Sequence, residues 1–438
     1  MRVSITENKK FLKMFNRIYN KNIKCINGIS IDSREIRPND IFIPISGEKH
    51  DGHHYIEEVL MKKNTICFDE KTNLLDERII KTESNKSEII NIAKNWRKEI
   101  NSEIIAITGS NGKTTMKDLI HHILNKSYKC SKSNGNYNST IGLPLTFLNC
   151  KTDDKYTIVE MGANKDGEIK QLCRAIKPNL SLITNISNAH IKNFKSIEQI
   201  AENKSQIFLN LEDEGTAFIN INDQLIKKIS LKSNKVTFGL NNNKADYNGK
   251  ILNENELVIN DLKIKIPKQI FFLNESILGA YAICNFIGLE DSIFQEAINT
   301  FIIPKGRGEI ISKNQYKIIN DTYNASPASM KFGIKRFSNM SCKNNKIIIL
   351  GDMLELGEHS KKEHEDLSVF LNPEKIDIVF TYGPKMLNLH KKLSNDFKYS
   401  RYFSSISDLK KEFKNIVKKN DLVFLKGSRK MKLEEVYN

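Results

Sequence analysis

Apolar and polar positions follow two rhythms along this chain, and the sharpest change of rhythm falls at residues 103–124. Residues 103–107 form a short apolar run, the pattern of a buried strand. The run breaks at Gly109, Ser110, Asn111 and Gly112, and Lys113, Thr114 and Thr115 follow. Met116, Leu119, Ile120, Ile123 and Leu124 then recur at helical spacing. Strand-like runs return at 156–161, 180–186 and 215–220, with helical stretches between them. This alternation predicts an α/β unit around a mostly parallel sheet. A helical pattern over 88–100 leads into it, and the segments "VTFGL" and "LVINDLKIKIP" within 234–273 predict β-hairpin material appended to it. Residues 304–308, "PKGRG", read as a linker. Beyond them "YKIIND", "KIIILGD", "DIVFTYG" and "DLVFLKGS" alternate with amphipathic helical stretches, which predicts a smaller, Rossmann-like doubly wound domain. Before residue 85 short strands and turns mix. The expected organisation is three α/β domains, at 1–84, 85–303 and 304–438, the central one of P-loop type.

Composition narrows the class. The chain has 438 residues, 39% hydrophobic and 27% charged, an ordinary soluble mix able to bury several cores. No apolar run is long enough to span a bilayer, and the start "MRVSITENKKFLKMF" lacks a signal-peptide core. Seven cysteines without a close pair argue against a disulfide framework or zinc cluster and for a reducing compartment, so a cytoplasmic location is expected. The net charge of +16 raises the question of nucleic acid. The excess is lysine interleaved with acids, as in "SDLKKEFKNIVKKND", the pattern of solvated helix faces. No nucleic-acid or membrane partner is expected; a positive field would still attract small anions.

The loop at 109–115 carries the clearest chemistry. Glycines let backbone N–H groups curl toward an anion, the helix start adds partial positive charge, and Lys113 adds a full one. Thr114 is placed to offer its hydroxyl to Mg²⁺. The general phosphate-loop pattern wants glycine where Ile107 stands. Glu160 closes the run "TIVE", where a carboxylate is a Mg²⁺ ligand, directly or through water, or simply faces solvent. His190, in "NISNAH", either completes a metal shell, bonds a phosphate or is structural. Lys204 falls on the apolar stripe of a helix that Ser196 and Gln199 cap. A lysine there must snorkel, pair or be altered; a desolvated, neutral amine can capture CO₂ as a carbamate.

Taken in order, these segments resemble the Mur ligases of peptidoglycan synthesis, nearly end to end. The first domain matches through "SIDSREIRPNDIFIPISGEKHDGHHYI". The centre matches through "AITGSNGKTT", "NGNYNSTIGLPLTFL", "VEMGANKDGEI" and "ITNISNAHIKNFKSIEQIAENKSQIF". The last domain matches through "KGRGE", "INDTYNASPASM", "LGDMLELGEHSKKEH" and "LKGSRKMKLEEV". The family's short phosphate loop accounts for Ile107. "DTYNASPASM" is similar to the family member that adds D-alanyl-D-alanine, with Ser326 in place of an asparagine. The Asp-Asn-Pro-Arg-like segment of the lysine- or diaminopimelate-adding relative is absent. The family's His-Asn-x-x-Asn-Ala is replaced by "NESILGAYA" at 274–282, which puts the adenine contacts there in doubt.

The resemblance implies an ATP-dependent amide ligase that joins D-alanyl-D-alanine to the peptide carboxylate of UDP-N-acetylmuramoyl-tripeptide through an acyl phosphate. It implies that Gly109 to Thr115 hold ATP phosphates, and that Thr114, Glu160, His190 and a carbamylated Lys204 serve two Mg²⁺ ions. Arg307, Asp321, Tyr323 and Asn324 match nucleotide-facing positions. Lys426 and Ser428 match positions near phosphate or dipeptide. Ser30, Asp32, Ser33 and Arg34 match the uridine-diphosphate loop, and Asn136, Asn138 and Ser139 the segment nearer sugar and peptide. A monomer that closes around its substrates from an open unliganded form is expected. The alternatives are another ligase on the same core, such as a folylpolyglutamate-type enzyme, a non-ligase P-loop ATPase, and a non-catalytic homologue.

Overall fold

A computed structural model describes residues 1–47, 50–135, 137–188, 194 and 196–438. Among these residues the strands build three sheets, each with helices against it. The first contains β1 (Arg2–Ser4), β2 (Gly28–Ser30), β3 (Asp40–Phe42), β4 (Ile66–Asp69) and β5 (Ile79–Lys81) in sequential order. Only β1 runs antiparallel to its neighbour.

The central sheet holds β6 (Glu103–Thr108), β7 (Cys130–Lys132), β8 (Tyr156–Glu160), β9 (Leu180–Ile183), β10 (Thr216–Asn220), β11 (Asn234–Leu240), β12 (Tyr247–Asn253), β13 (Glu256–Ile259) and β14 (Leu262–Lys265). Its order is β14-β13-β12-β11-β10-β9-β6-β8-β7. From β7 to β12 every pairing is parallel. The expected hairpin is real at β13–β14, where Asn260 takes a left-handed turn conformation. The segment "VTFGL" departs from expectation. As β11 it extends the parallel sheet beside β10, because Phe238 is needed under the helix Asn274–Phe286: Gly279 there leaves room for its ring.

The third sheet contains β15 (Glu309–Ser312), β16 (Lys317–Asp321), β17 (Lys346–Gly351), β18 (Ile378–Tyr382), β19 (Tyr399–Phe403) and β20 (Leu422–Lys426), ordered β15-β16-β20-β17-β18-β19. All its pairings but β15–β16 are parallel. Two apolar clusters lie on opposite faces, Ile348, Leu350 and Phe424 on one and Ile347, Ile349 and Val423 on the other, as a doubly wound sheet requires.

One apolar cluster bridges the first two sheets. It runs from Phe11 and Phe15 through Trp96, on the helix Asn85–Arg97, to Ile104 and Ala106 of β6. Trp96, the chain's one tryptophan, is fully buried against Phe11. The strand that aims the phosphate loop is thus seated on a shared core.

Candidate functional site

The central strand β6 ends at Thr108, and the helix Lys113–Leu124 begins after Gly112. Between them the backbone turns on two glycines with positive φ, 146° at Gly109 and 80° at Gly112. At Gly109 a side chain is excluded outright, since a Cβ would fall 1.9 Å from Thr184 Oγ1. The segment after β9 braces the loop from outside. Ser110 N donates to Asn185 O (2.8 Å), Asn111 N to Asn185 Oδ1 (3.1 Å), and Thr184 Oγ1 to Asn111 O (2.6 Å). Ser187 N donates to Ser110 Oγ at 2.9 Å. The motif "TNIS" is therefore a scaffold for the loop.

Charge converges on this turn. Lys113 Nζ donates to Gly109 O (2.9 Å) and Ser110 O (3.2 Å), and Lys204 Nζ reaches the same Gly109 carbonyl at 3.0 Å. Lys204 sits on the helix Ile197–Leu209, whose first turn is capped by Ser196 accepting from Gln199 N. It is buried rather than snorkelling, and among the described residues it makes no ion pair. Burial first, and the neighbouring Lys113 charge second, pull its amine down to about 7. Burial also lowers the Lys113 pKa, with Arg307 acting in the same direction and Glu160 against it.

Thr114 is the meeting point. Its Oγ1 donates to Glu160 Oε2 at 2.7 Å and accepts from Arg307 Nη2 at 2.8 Å. Asn138 Nδ2 donates to the other carboxylate oxygen, Glu160 Oε1, at 2.7 Å. Glu160 and Thr114 are both buried, and two oxygen donors side by side at a phosphate loop fit a hard cation such as Mg²⁺. His190 and Asn136 lie outside the described residues.

The last domain arrives through the segment read as a plain linker. Gly306 and Gly308 both take positive φ, and Arg307 between them stacks on Tyr323 at 3.8 Å while touching Thr114. Ser326 donates to Asn111 Oδ1 at 2.9 Å and caps the helix Pro327–Asn339. Arg307 and Ser326 thus put the last domain in contact with the phosphate loop. Asp321 and Lys426, at the ends of β16 and β20, pair at 2.6 Å, and Lys426 also donates to Asn324 O. Ser428 Oγ accepts from Leu354 N at 3.0 Å. Lys426 and Ser428 therefore support the 321–326 turn and the loop after β17 from below, and Tyr323 and Arg307 form the face toward the phosphate loop.

A second locus opens beside the first domain. Ser30 is buried and donates to Met1 O and Asp32 O. Asp32 caps the short helical turn Ser33–Glu35 and grips the exposed Arg34 through two bonds of 2.9 and 2.7 Å. Arg34 holds the Asp32 carboxyl below the usual carboxylate range. A cleft of about 710 Å³ is lined by Arg2, Arg34 and Arg37 on one side and Asn134 and Tyr137 on the other. Ser139 Oγ accepts from Gly142 N at 3.1 Å in the turn leading into the helix Gly142–Phe147. Arg2 is paired with Asp40 and Arg34 with Asp32, so the cleft offers partly neutralised guanidinium groups and a polar loop, which suit a hydrogen-bonding, anionic ligand.

Lys117 was not singled out from the sequence. It stands one turn beyond Lys113, is 1% exposed, and donates to Ser133 O and Gly135 O, both at 2.9 Å. The available signal was a lysine directly after Met116 on the apolar-periodic helix that follows the phosphate loop. The departure at 274–282 has a packing reason: Gly279 meets Phe238 and Met116, and Glu275 accepts from Asn220.

Comparisons with known proteins bear on the whole chain. Three family models match in succession: "Mur ligase family, catalytic domain" at 25–106, "Mur ligase middle domain" at 107–288, and "Mur ligase, glutamate ligase domain" at 306–429. The UDP-N-acetylmuramoyl-tripeptide–D-alanyl-D-alanine ligase of Bacillus subtilis is 32% identical over 426 residues, covering 94% of this chain and 92% of its own. The ligase of the same name from Rickettsia prowazekii is 30% identical over 94% of this chain and 95% of its own. The crystal structure of MurF ligase from Thermotoga maritima in complex with ADP superposes with a TM-score of 0.82 at 26% identity, covering 93% and 96% of the two chains. MurF from Acinetobacter baumannii, at 21% identity and a TM-score of 0.84, shares the fold. The three-domain architecture, the braced phosphate loop and these matches over nearly all its length agree: this chain belongs to the Mur ligase family.

Proposed function

We propose that this protein is the ATP-dependent ligase that joins D-alanyl-D-alanine to the terminal peptide carboxylate of UDP-N-acetylmuramoyl-tripeptide. The observation that carries the reading is the convergence of Glu160, Arg307 and Lys113 around Thr114, within a chain similar end to end to ligases of that name. The domains divide the work as 1–84 for the UDP-sugar, 85–303 for ATP and 304–438 for nucleotide closure and the dipeptide. The setting is cytoplasmic precursor synthesis by a monomer.

The chemistry follows from charge. A carboxylate resists nucleophiles because it is anionic and resonance-stabilised. Transfer of the γ-phosphoryl group to one carboxylate oxygen gives an acyl phosphate and ADP. The dipeptide amine then attacks the acyl carbon, a tetrahedral intermediate forms, and the C–O bond to phosphate breaks as the amide forms. The amine's proton leaves with solvent or phosphate. In both steps negative charge gathers at one place, so positioning and neutralisation are the protein's main tasks. Lys113, the N–H groups of the 109–115 loop and Arg307 supply positive charge there. Mg²⁺ would be held by Thr114 and Glu160, with His190 and a carbamylated Lys204 as further candidate ligands by family resemblance, and would screen the phosphates when bound. The neutral Lys204 amine is suited to add to CO₂, losing its proton to water and becoming a carbamate. A ¹³C carbamate signal in ¹³CO₂-equilibrated protein, absent in Lys204→Met, tests that step.

Arg34, Asp32, Ser30 and Ser33 with Asn138 and Ser139 address the UDP-linked substrate. Tyr323, Asn324 and Asp321 address nucleotide and dipeptide, with Lys426 and Ser428 beneath them. The test is phosphate release with both lysine- and diaminopimelate-containing UDP-tripeptides, and D-Ala-D-Ala, L-Lys or D-Glu as acceptor. Turnover should require D-Ala-D-Ala. Turnover with L-Lys or D-Glu instead would move the protein to another step of the family.

A further inference from the structure

A lysine in a dry interior needs a reason, and the Lys117 side chain donates to two backbone carbonyls that lie outside the phosphate loop. Its ammonium donates to Ser133 O and Gly135 O at 2.9 Å each, with Asp118 at 3.7 Å. Either protonation state of the amine keeps the two N–H bonds these carbonyls take. The held segment continues straight into function. Ser133 Oγ accepts from Glu160 N at 3.0 Å, and Asn138 Nδ2 grips Glu160 Oε1. Asn138 O also accepts from Gly162 N at 2.8 Å, where a Cβ on Gly162 would strike the Asn138 side chain. Asn134 and Tyr137 of the same segment line the cleft opposite Arg34.

We propose that Lys117 is a positioning residue that ties the phosphate-loop helix to the backbone at Ser133 and Gly135, and so sets the wall carrying Asn134, Tyr137 and Asn138 that receives the UDP-linked acyl substrate. Lys113 and Lys117 then stand a turn apart on one helix with separate tasks, one toward the nucleotide and one toward its reaction partner. Naming that partner rests on the ligase reading; the mechanical tie does not.

Lys117→Met keeps the stem and removes both bonds. Hydrogen exchange at amides 133–139 should quicken about tenfold or more, and KM for the UDP-tripeptide should rise by a similar factor, as expected for losing buried bonds. Calorimetric ADP affinity and KM for ATP should stay within about threefold, since Gly109 to Thr115 keep their own braces. Unchanged exchange at 133–139 would overturn the proposal. So would equal losses for nucleotide and UDP-substrate, the mark of a collapsed helix. If Lys117→Met does not fold, Lys117→Gln, too short to reach both carbonyls, is read by the same criteria. If the wild type fails to turn over the UDP-tripeptide, the ligase reading falls, while exchange and ADP binding still judge Lys117.

Discussion

Lys204 shows how one side chain can make stability depend on pH. In the native state its amine titrates near 7, whereas in an unfolded chain lysine titrates near 10.4. Between those values the unfolded chain holds the extra proton, so native stability rises with pH across that window. Below about pH 7 the burial cost is felt in full. Relative to Lys204→Met in CO₂-free buffer, the wild type should gain about 2 kcal/mol from about pH 6 to about pH 9, read from urea midpoints. Equal pH slopes for the two proteins would mean the amine is not desolvated. Ser326 is a second single-residue case. Its hydroxyl caps a helix and bonds Asn111 of the phosphate loop. Ser326→Ala should cost about 1 kcal/mol in stability and also raise KM for ATP. Ser326→Asn, with another good capping side chain, should keep the cap and most of the activity. A stability loss with an unmoved KM would reduce Ser326 to a cap alone.

At the scale of elements, what was legible in the sequence was whatever a local rule enforces. The strand before Gly109, the helix after Gly112 and the strand ends at Glu160, Asp321 and Lys426 each follow from apolar runs broken by polar or glycine residues. The glycine loop needed no alignment, because a backbone that must turn beside Thr184 admits no side chain. What escaped was set by distant partners. "VTFGL" carries the composition of a hairpin strand, and only Gly279, about forty residues on, shows why it lies in the parallel sheet. β19, "YSRYF", hid because an edge strand needs no continuous apolar run. The 304–308 turn read as a spacer because glycines on both sides of Arg307 signal flexibility, when in fact they shape the turn that delivers the guanidinium. Lys117 was hidden because its partners are backbone carbonyls, which carry no sequence signature. Lys204 was visible as an oddity on an apolar stripe, but its partner, also a carbonyl, was not.

The last domain meets the central one through side-chain bonds from Arg307 to Thr114 and from Ser326 to Asn111, and through Arg336 stacked on the Phe272 ring at 3.5 Å. Bonds of this kind contribute about 1 kcal/mol each, so the arrangement is easily exchanged for a more open one. Replacing both, with Arg307→Ala and Ser326→Ala, should enlarge the radius of gyration in solution scattering, and ATP analogue with UDP-substrate should shrink it less than in the wild type. Profiles identical to the wild type in both states would show that other contacts hold the domain. The net charge of +16 acts at the same scale. Association rates for the anionic UDP-substrate should fall as ionic strength rises from about 50 to 300 mM, with dissociation rates changing less.

The Gly109 carbonyl accepts from two lysines at once, so two amine heads crowd a single dipole, and an anion bound beside them would favour their charged forms. Any small tetrahedral dianion offers them a better counterpart than one peptide oxygen can. Sulfate and inorganic phosphate should therefore act as rivals of ATP in the assay tube, raising the melting temperature while depressing the apparent nucleotide affinity. Choice of buffer salt becomes a variable of the enzymology, and the product phosphate a brake on its own formation.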